Sequence, residues 1–131
     1  MSDQASGNGF PLKDYLGFAL VEEEPGRVVA TMDLTERHLS PNGTVHGGAL
    51  FTLVDTAMGK ATVGVVTEGR TCASIELSAR YLRPVDTGRL VAEVPVLRVG
   101  RRVVHLEGRV RGEGDDRLVA VMTGSFAVID P

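Results

Sequence analysis

Residues 42–55 read Asn42-Gly43-Thr44-Val45-His46-Gly47-Gly48-Ala49-Leu50-Phe51-Thr52-Leu53-Val54-Asp55. A turn-forming segment ends in two glycines, and an apolar helix begins. Nine residues after His46, one carboxylate sits inside that helix. From Gly47 to Val66 the only charged residues are Asp55 and Lys60. An ionised Asp in such a run is costly unless something pairs with it or uses it. Leu50, Leu53, Val54, Ala57 and Ala61 recur at helical spacing. The other faces are mostly small or apolar as well, so burial on most sides is expected. Gly59 and Gly64 weaken the helix. Their expected use is close approach to a sheet or a partner helix.

Outward from this helix, strand patterns dominate. Upstream, Pro11 to Leu16 suits a short helix with Pro in its first turn and Gly17 as the stop. Phe18 to Glu23 and Arg27 to Leu34 read as strands around a Glu24-Pro25-Gly26 turn. Thr35 to Val45 is an irregular connection carrying the turn signal Ser40-Pro41-Asn42-Gly43. Downstream come Cys72–Arg83, Arg89–Val99, Arg101–Arg111 and Leu118–Ile129, with period-two patterning. Pro95 predicts an edge position or a bulge. Alternation sets Ile75, Leu77, Ala79 and Tyr81 on one face and Ser74 on the other. Ser74 would reach the helix only through a bulge, or if its face met a partner chain. The order is two strands, one long helix, four strands. That is an α+β layout, an antiparallel sheet wrapped around one central helix.

The chain has 131 residues, 43% of them hydrophobic, enough for one domain with a sizeable core. We expect a disordered tail at residues 1–9 and a single domain at 10–131. A formal net charge of −3 argues against non-specific nucleic-acid binding. Cys72 is the lone cysteine, so no internal disulfide or cysteine-based metal cluster is available. No signal peptide or membrane-spanning pattern is read, and a cytoplasmic location is expected. No His, Cys or carboxylate cluster has metal-ligand spacing, so neither a metal nor a cofactor is expected. His38 and His105 are expected at the surface, and Cys72 as a small core residue.

A helix N-terminus offers free N–H groups that can hold a negative charge. Gly47 and Gly48 would let a ligand approach those groups without a Cβ in the way. A carboxylate desolvated by apolar surroundings becomes a better base, which suits Asp55. Read alone, the same Asp could be a satisfied structural group, and the glycines a sharp helix entry.

The run Gly43 to Leu50, followed by Asp55-Thr56-Ala57-Met58-Gly59, resembles the hotdog-fold acyl-CoA thioesterases. It looks most like their phenylacetate-degradation, PaaI-like branch. The resemblance spans about Gly17 to Ile129. It implies hydrolysis of an acyl-coenzyme A thioester without a metal, coenzyme A being part of the substrate. For Asp55 it implies a general base or nucleophile, and for Gly47 an N–H that polarises the thioester carbonyl. It implies a supporting role for His46, and for Ser74 help in holding the attacking water or the Asp. Where the family carries Asn, six residues before the His, this chain has Ser40; Asn42 lies two residues on. Either Ser40 assists through its hydroxyl, Asn42 takes the role, or that function is weakened.

Arg101 and Arg102, after the Gly100 turn, are candidate contacts for the coenzyme phosphates. The seven residues from Gly48 to Asp55 span roughly 10 Å of helix. One Asp side chain does not close that gap. A homodimer, or a pair of dimers, with sites shared between subunits is therefore expected. A hotdog hydratase and a non-catalytic acyl-CoA-binding protein are the competing readings.

Overall fold

The computed structural model describes residues 10–131. The tail expected at residues 1–9 lies outside the described residues. The elements are α1 (Pro11–Leu16), β1 (Phe18–Glu24), β2 (Arg27–Asp33), a 3-10 turn (Glu36–His38), α2 (Gly47–Val63), β3 (Thr71–Tyr81), β4 (Arg89–Val99), β5 (Val103–Gly112) and β6 (Leu118–Ile129). The strands form one six-stranded antiparallel sheet in the order β1-β2-β4-β5-β6-β3. β1 and β3 are its edges. No described helix is long and apolar enough to cross a membrane.

Local chemistry accounts for the element ends. Pro11 opens α1, and Gly17, at φ 75°, closes it with its N–H on the Lys13 carbonyl. Gly26, at φ 84°, makes the β1–β2 turn. α2 starts at Gly47 and stops at Val63, three residues before the expected Val66. Gly64 N–H caps it on the Lys60 and Thr62 carbonyls.

α2 lies across the concave face of the sheet and touches every strand. Leu50, Leu53, Val54, Ala57, Met58 and Ala61 are buried beneath it. Each large aliphatic side chain so buried is worth about 1.5–3 kcal/mol over exposure. The glycines that allow this approach are on the sheet. A Cβ on Gly108 of β5 would stand 2.7 Å from Val54 Cγ1, and one on Gly124 of β6 2.5 Å from Met58 Sδ. Gly59 of α2, expected to serve this purpose, has ordinary clearance of 3.7 Å from the Phe126 ring. At Gly64 the nearest atoms belong to α2 itself.

Two irregularities revise the strand patterns. In β3, Ser74 pairs with Phe126 and Glu76 with Ser125, so Ile75 is an extra, bulged residue. Directly opposed residues share a face, and Phe126 is buried in the core. Ser74 therefore stands on the helix side with Cys72, Leu77 and Ala79. Ile75, 58% exposed, is thrown outward, against the simple alternation. Pro95 lies in β4, an interior strand paired with both β2 and β5. The edge position is excluded. A register shift between Val96 and Arg98 provides the bulge beside it.

His38, expected at the surface, is 2% exposed. Its Nδ1 accepts the Thr35 N–H at 3.0 Å, and its Nε2 faces the Leu16 carbonyl at 2.5 Å. The ring thus ties the end of α1 to the connection before α2. Its own carbonyl accepts the His46 N–H at 2.7 Å. A single His in a loop carries no periodic signal, so sequence pattern could not reveal this. Replacing His38 with Ala leaves buried polar groups without partners, and a loss of about 1–3 kcal/mol is expected. His105→Ala, at an exposed position, should stay within about 0.5 kcal/mol. Urea denaturation of both variants checks this, and equal midpoints would refute the clamp.

Candidate active site

The start of α2 is built by His46. Its Nδ1 accepts the Gly48 N–H at 2.7 Å, an N-cap made by an imidazole. The His46 carbonyl accepts from Ala49 N–H at 3.0 Å, so the first turn is closed beneath it. Nδ1 as acceptor leaves the ring proton of the neutral imidazole on Nε2. The Gly47 N–H meets no acceptor among the described residues. It is an unengaged donor at the positive end of a 17-residue helix.

The two glycines are explained by what lies over them. A Cβ on Gly47 would stand 2.8 Å from the Tyr81 ring, and one on Gly48 2.9 Å from His46 Nδ1. Two aromatic rings, packed onto bare backbone, occupy the space that a Cβ on either glycine would need. In the sequence Tyr81 shows only as part of an alternating strand. Its hydroxyl donates to the Gly47 carbonyl at 2.9 Å. No local motif marks it, because the partners are 34 residues apart.

A groove of 540 Å³ opens here, and Ser40, Asn42, His46, Gly47, Leu50 and Tyr81 help to line it. The expected residues of the turn and the helix start are thus brought together. Ser40 Oγ has one proton to give, and both its acceptors, the Thr44 carbonyl at 2.9 Å and Asn42 Oδ1, lie within the same turn. Asn42 Oδ1 also accepts from Thr44 Oγ1 at 3.3 Å. The Asn42 amide nitrogen has no acceptor among the described residues.

Asp55 is not in that groove. It lies two helical turns along α2, half-buried, with Oδ1 shielded from solvent and without a hydrogen-bond partner among the described residues. Burial pushes its carboxyl above the ordinary value. Across from this part of α2 stands the helix-facing start of β3. Cys72 Sγ is 3.6 Å from the Gly59 carbonyl. Its thiol is raised by burial and then by the charge of Asp55. Ser74 is the next residue of β3 on this face, and the bulge after it keeps Leu77 and Ala79 there too. Arg101 and Arg102 are exposed at the β4–β5 turn, outside the groove. The Arg101 carbonyl accepts from Arg70 Nη2 at 3.3 Å, which places that turn beside the start of β3. Among the described residues, no three His, Cys, Asp or Glu side chains are grouped to hold a metal ion.

A six-stranded sheet wrapped on a helix that begins at His46-Gly47-Gly48 and carries a half-buried Asp defines a hotdog protein of the thioesterase type. Residues 42–119 match the thioesterase superfamily, and the chain belongs to that family. A protein of Caenorhabditis elegans named as an esterase is 35% identical over 101 residues, 76% of this chain and 59% of that one. This chain therefore spans less than two thirds of that relative. Human acyl-coenzyme A thioesterase 13 is 28% identical over 102 residues, 77% of this chain and 72% of that one. Among solved structures, the phenylacetic acid degradation protein PaaI of Thermus thermophilus, studied as a mutant, superposes with a TM-score of 0.81 at 29% identity. That match covers 90% of this chain and 98% of the other.

The raised Asp55 carboxyl has a consequence for stability. Its folded pKa lies above its unfolded one, so the folded state holds the proton more tightly. Stability therefore falls as pH rises from the ordinary carboxylate value of 3.8 through the raised one. Asp55→Asn removes that penalty. The variant should be more stable than the parent at neutral pH, with the gain shrinking on acidification toward pH 3.8. Thermal melts of both proteins along a pH series test this. A variant less stable at neutral pH, or a pH-independent gain, would overturn it.

Proposed function

We propose that this chain hydrolyses the thioester of an acyl-coenzyme A, releasing the free acid and coenzyme A. The observation that carries the reading is the buried, unpartnered Oδ1 of Asp55 on a helix whose first N–H is unengaged. A carboxyl held above its ordinary value is a stronger base than a solvated one. Asp55 either draws a proton from water as the water attacks the carbonyl carbon, or attacks that carbon itself. The carbonyl oxygen, gaining charge, lies against the Gly47 N–H. The C–O bond forms, the C–S bond breaks, and the thiolate leaves without needing a strong acid; where Asp55 is itself the attacking group, water then cleaves the Asp55–acyl anhydride, releasing the free acid and restoring the carboxylate. The kinship with a human protein named acyl-coenzyme A thioesterase supports the substrate class.

We assign the remaining roles as follows. Ser74, on the helix face of β3, orients the attacking water or Asp55. His46 supports the carbonyl through Nε2. Asn42 takes the polar contact that Ser40, committed to its own turn, has no proton to make. Arg101 and Arg102 meet the coenzyme phosphates, a task suited to guanidinium groups. No metal or cofactor takes part.

Each site is assembled from two subunits. Gly47 and Asp55 are eight residues apart, about 12 Å of rise on one helix. Carbonyl polarisation and attack require both within about 3 Å of the same group. A two-fold axis places the helix start of one chain near Asp55 of the other. The β3 edge supports such pairing: it is 11 residues long, has no strand on its outer side among the described residues, and carries Ile75 and Tyr81 exposed.

A panel of aryl, short and medium acyl-CoAs tests the activity. The parent should turn over at least one class, and Asp55→Asn should lose at least 10²-fold in kcat while remaining folded. Tight binding with no turnover by the parent would replace the enzyme reading with a binding protein. Site sharing is tested by unfolding Asp55→Asn and Gly47→Val variants together and refolding the mixture. About a quarter of parent activity should return, because half the dimers are mixed and each carries one intact site. No recovery, with mixed dimers demonstrated, would confine each site to one chain.

A further inference from the structure

Tyr81 lies outside the set of residues that the reaction proposed above requires, yet it holds the helix start from the far edge of the sheet. Its hydroxyl donates to the Gly47 carbonyl at 2.9 Å. The N–H of that same peptide group belongs to Gly48 and donates to His46 Nδ1 at 2.7 Å. The three groups form one chain: phenol O–H to C=O, through the amide to N–H, then to the imidazole. A hydrogen bond accepted at an amide oxygen strengthens the donor at its nitrogen, so the two bonds reinforce each other.

The ring contributes separately from the hydroxyl. It occupies the place of a Gly47 Cβ, which fixes how closely β3 approaches the helix start. Tyr81 is nonetheless 51% exposed and lines the groove with His46 and Gly47. Burial raises its phenol, so it is a donor at neutral pH. The acceptor it uses is the first carbonyl of α2.

We infer that Tyr81 is a positioning residue that, through the Gly47–Gly48 peptide, sets His46 as an Nδ1 acceptor with its proton on Nε2. In that tautomer the His46 nitrogen left for a ligand is a donor, matched to a carbonyl oxygen. The Gly47 N–H, one peptide earlier, is held in register with it. The thioester carbonyl would then meet two preset donors. This rests on the thioesterase reading for its kinetic consequence, but the tautomer itself does not.

Tyr81→Phe keeps the ring over Gly47 and removes only the hydroxyl. In the parent, ¹⁵N spectra of the imidazoles, assigned by comparison with His46→Gln, should show His46 with an unprotonated Nδ1 and a protonated Nε2 near neutral pH. In Tyr81→Phe the two tautomers should mix, while the melting temperature changes little. Turnover of the best acyl-CoA should fall about 10-fold in kcat, the scale of one hydrogen bond, with KM within about two-fold. A parent His46 carrying its proton on Nδ1 would overturn the inference whether or not any thioester is cleaved. A kcat loss with unchanged tautomer would also overturn it, as would normal kcat in a variant whose tautomers mix. Failure of all acyl-CoAs in the parent, with the expected tautomer shift intact, would instead count against the thioesterase reading and uphold the relay.

Discussion

The seating of α2 on Gly108 and Gly124 governs the rest of the molecule. Any side chain at either position would meet Val54 or Met58 at a distance real contacts do not show. The Val54 or Met58 side chain would then have to shift, and a protein interior tolerates little such displacement. The height of α2 above the sheet decides which residues of β3 can face it. It also brings the Cys72 thiol within 3.6 Å of the Gly59 carbonyl. The surroundings that desolvate Asp55 are a consequence of that seating, so the site's electrostatics begin with two glycines far from it in sequence.

The start of the helix shows a second constraint of the same kind. Gly47 and Gly48 leave room for the Tyr81 and His46 rings. His38 holds this entry from behind through its carbonyl, while its ring is locked to Thr35 and Leu16. In the proposed reaction the donors would thus be positioned before the thioester arrives, which is how electrostatic stabilisation avoids reorganisation cost. Asp55 shows the opposite bias. Its orphaned oxygen and raised carboxyl work against stability in the single chain, as expected where a group is kept for chemistry rather than packing.

The convex face of the sheet follows different rules. Arg27 pairs with Glu22, Glu24 and Glu93, and Glu93 also pairs with Arg111. These exposed pairs add little stability, but their aliphatic stems cover apolar surface. Val29 pairs with Glu93 across the β2–β4 ladder and is only 5% exposed although it points away from the helix. Charge on this face keeps it wet and directs apolar burial to the α2 side.

Much of this protein was legible in the order of its residues. Periodicity separated one long helix from six strands, because burial on one face imposes a fixed spacing on any chain. The lone Asp in an apolar run, and the glycines before it, are costly without a use, and they pointed to the helix on which the proposed site is built. Properties that depend on residues distant in sequence could not be read this way. The bulge at Ile75, which keeps Leu77 and Ala79 on the same face as Ser74, exists only in the register between β3 and β6. The glycines that seat α2 are on β5 and β6, and nothing in their local sequence marks the side chains they must accommodate. Burial of His38 and the bond from Tyr81 to Gly47 join segments 22 and 34 residues apart. Local pattern determines elements because backbone geometry is local. Tertiary packing decides which side chain fills the space above a bare glycine.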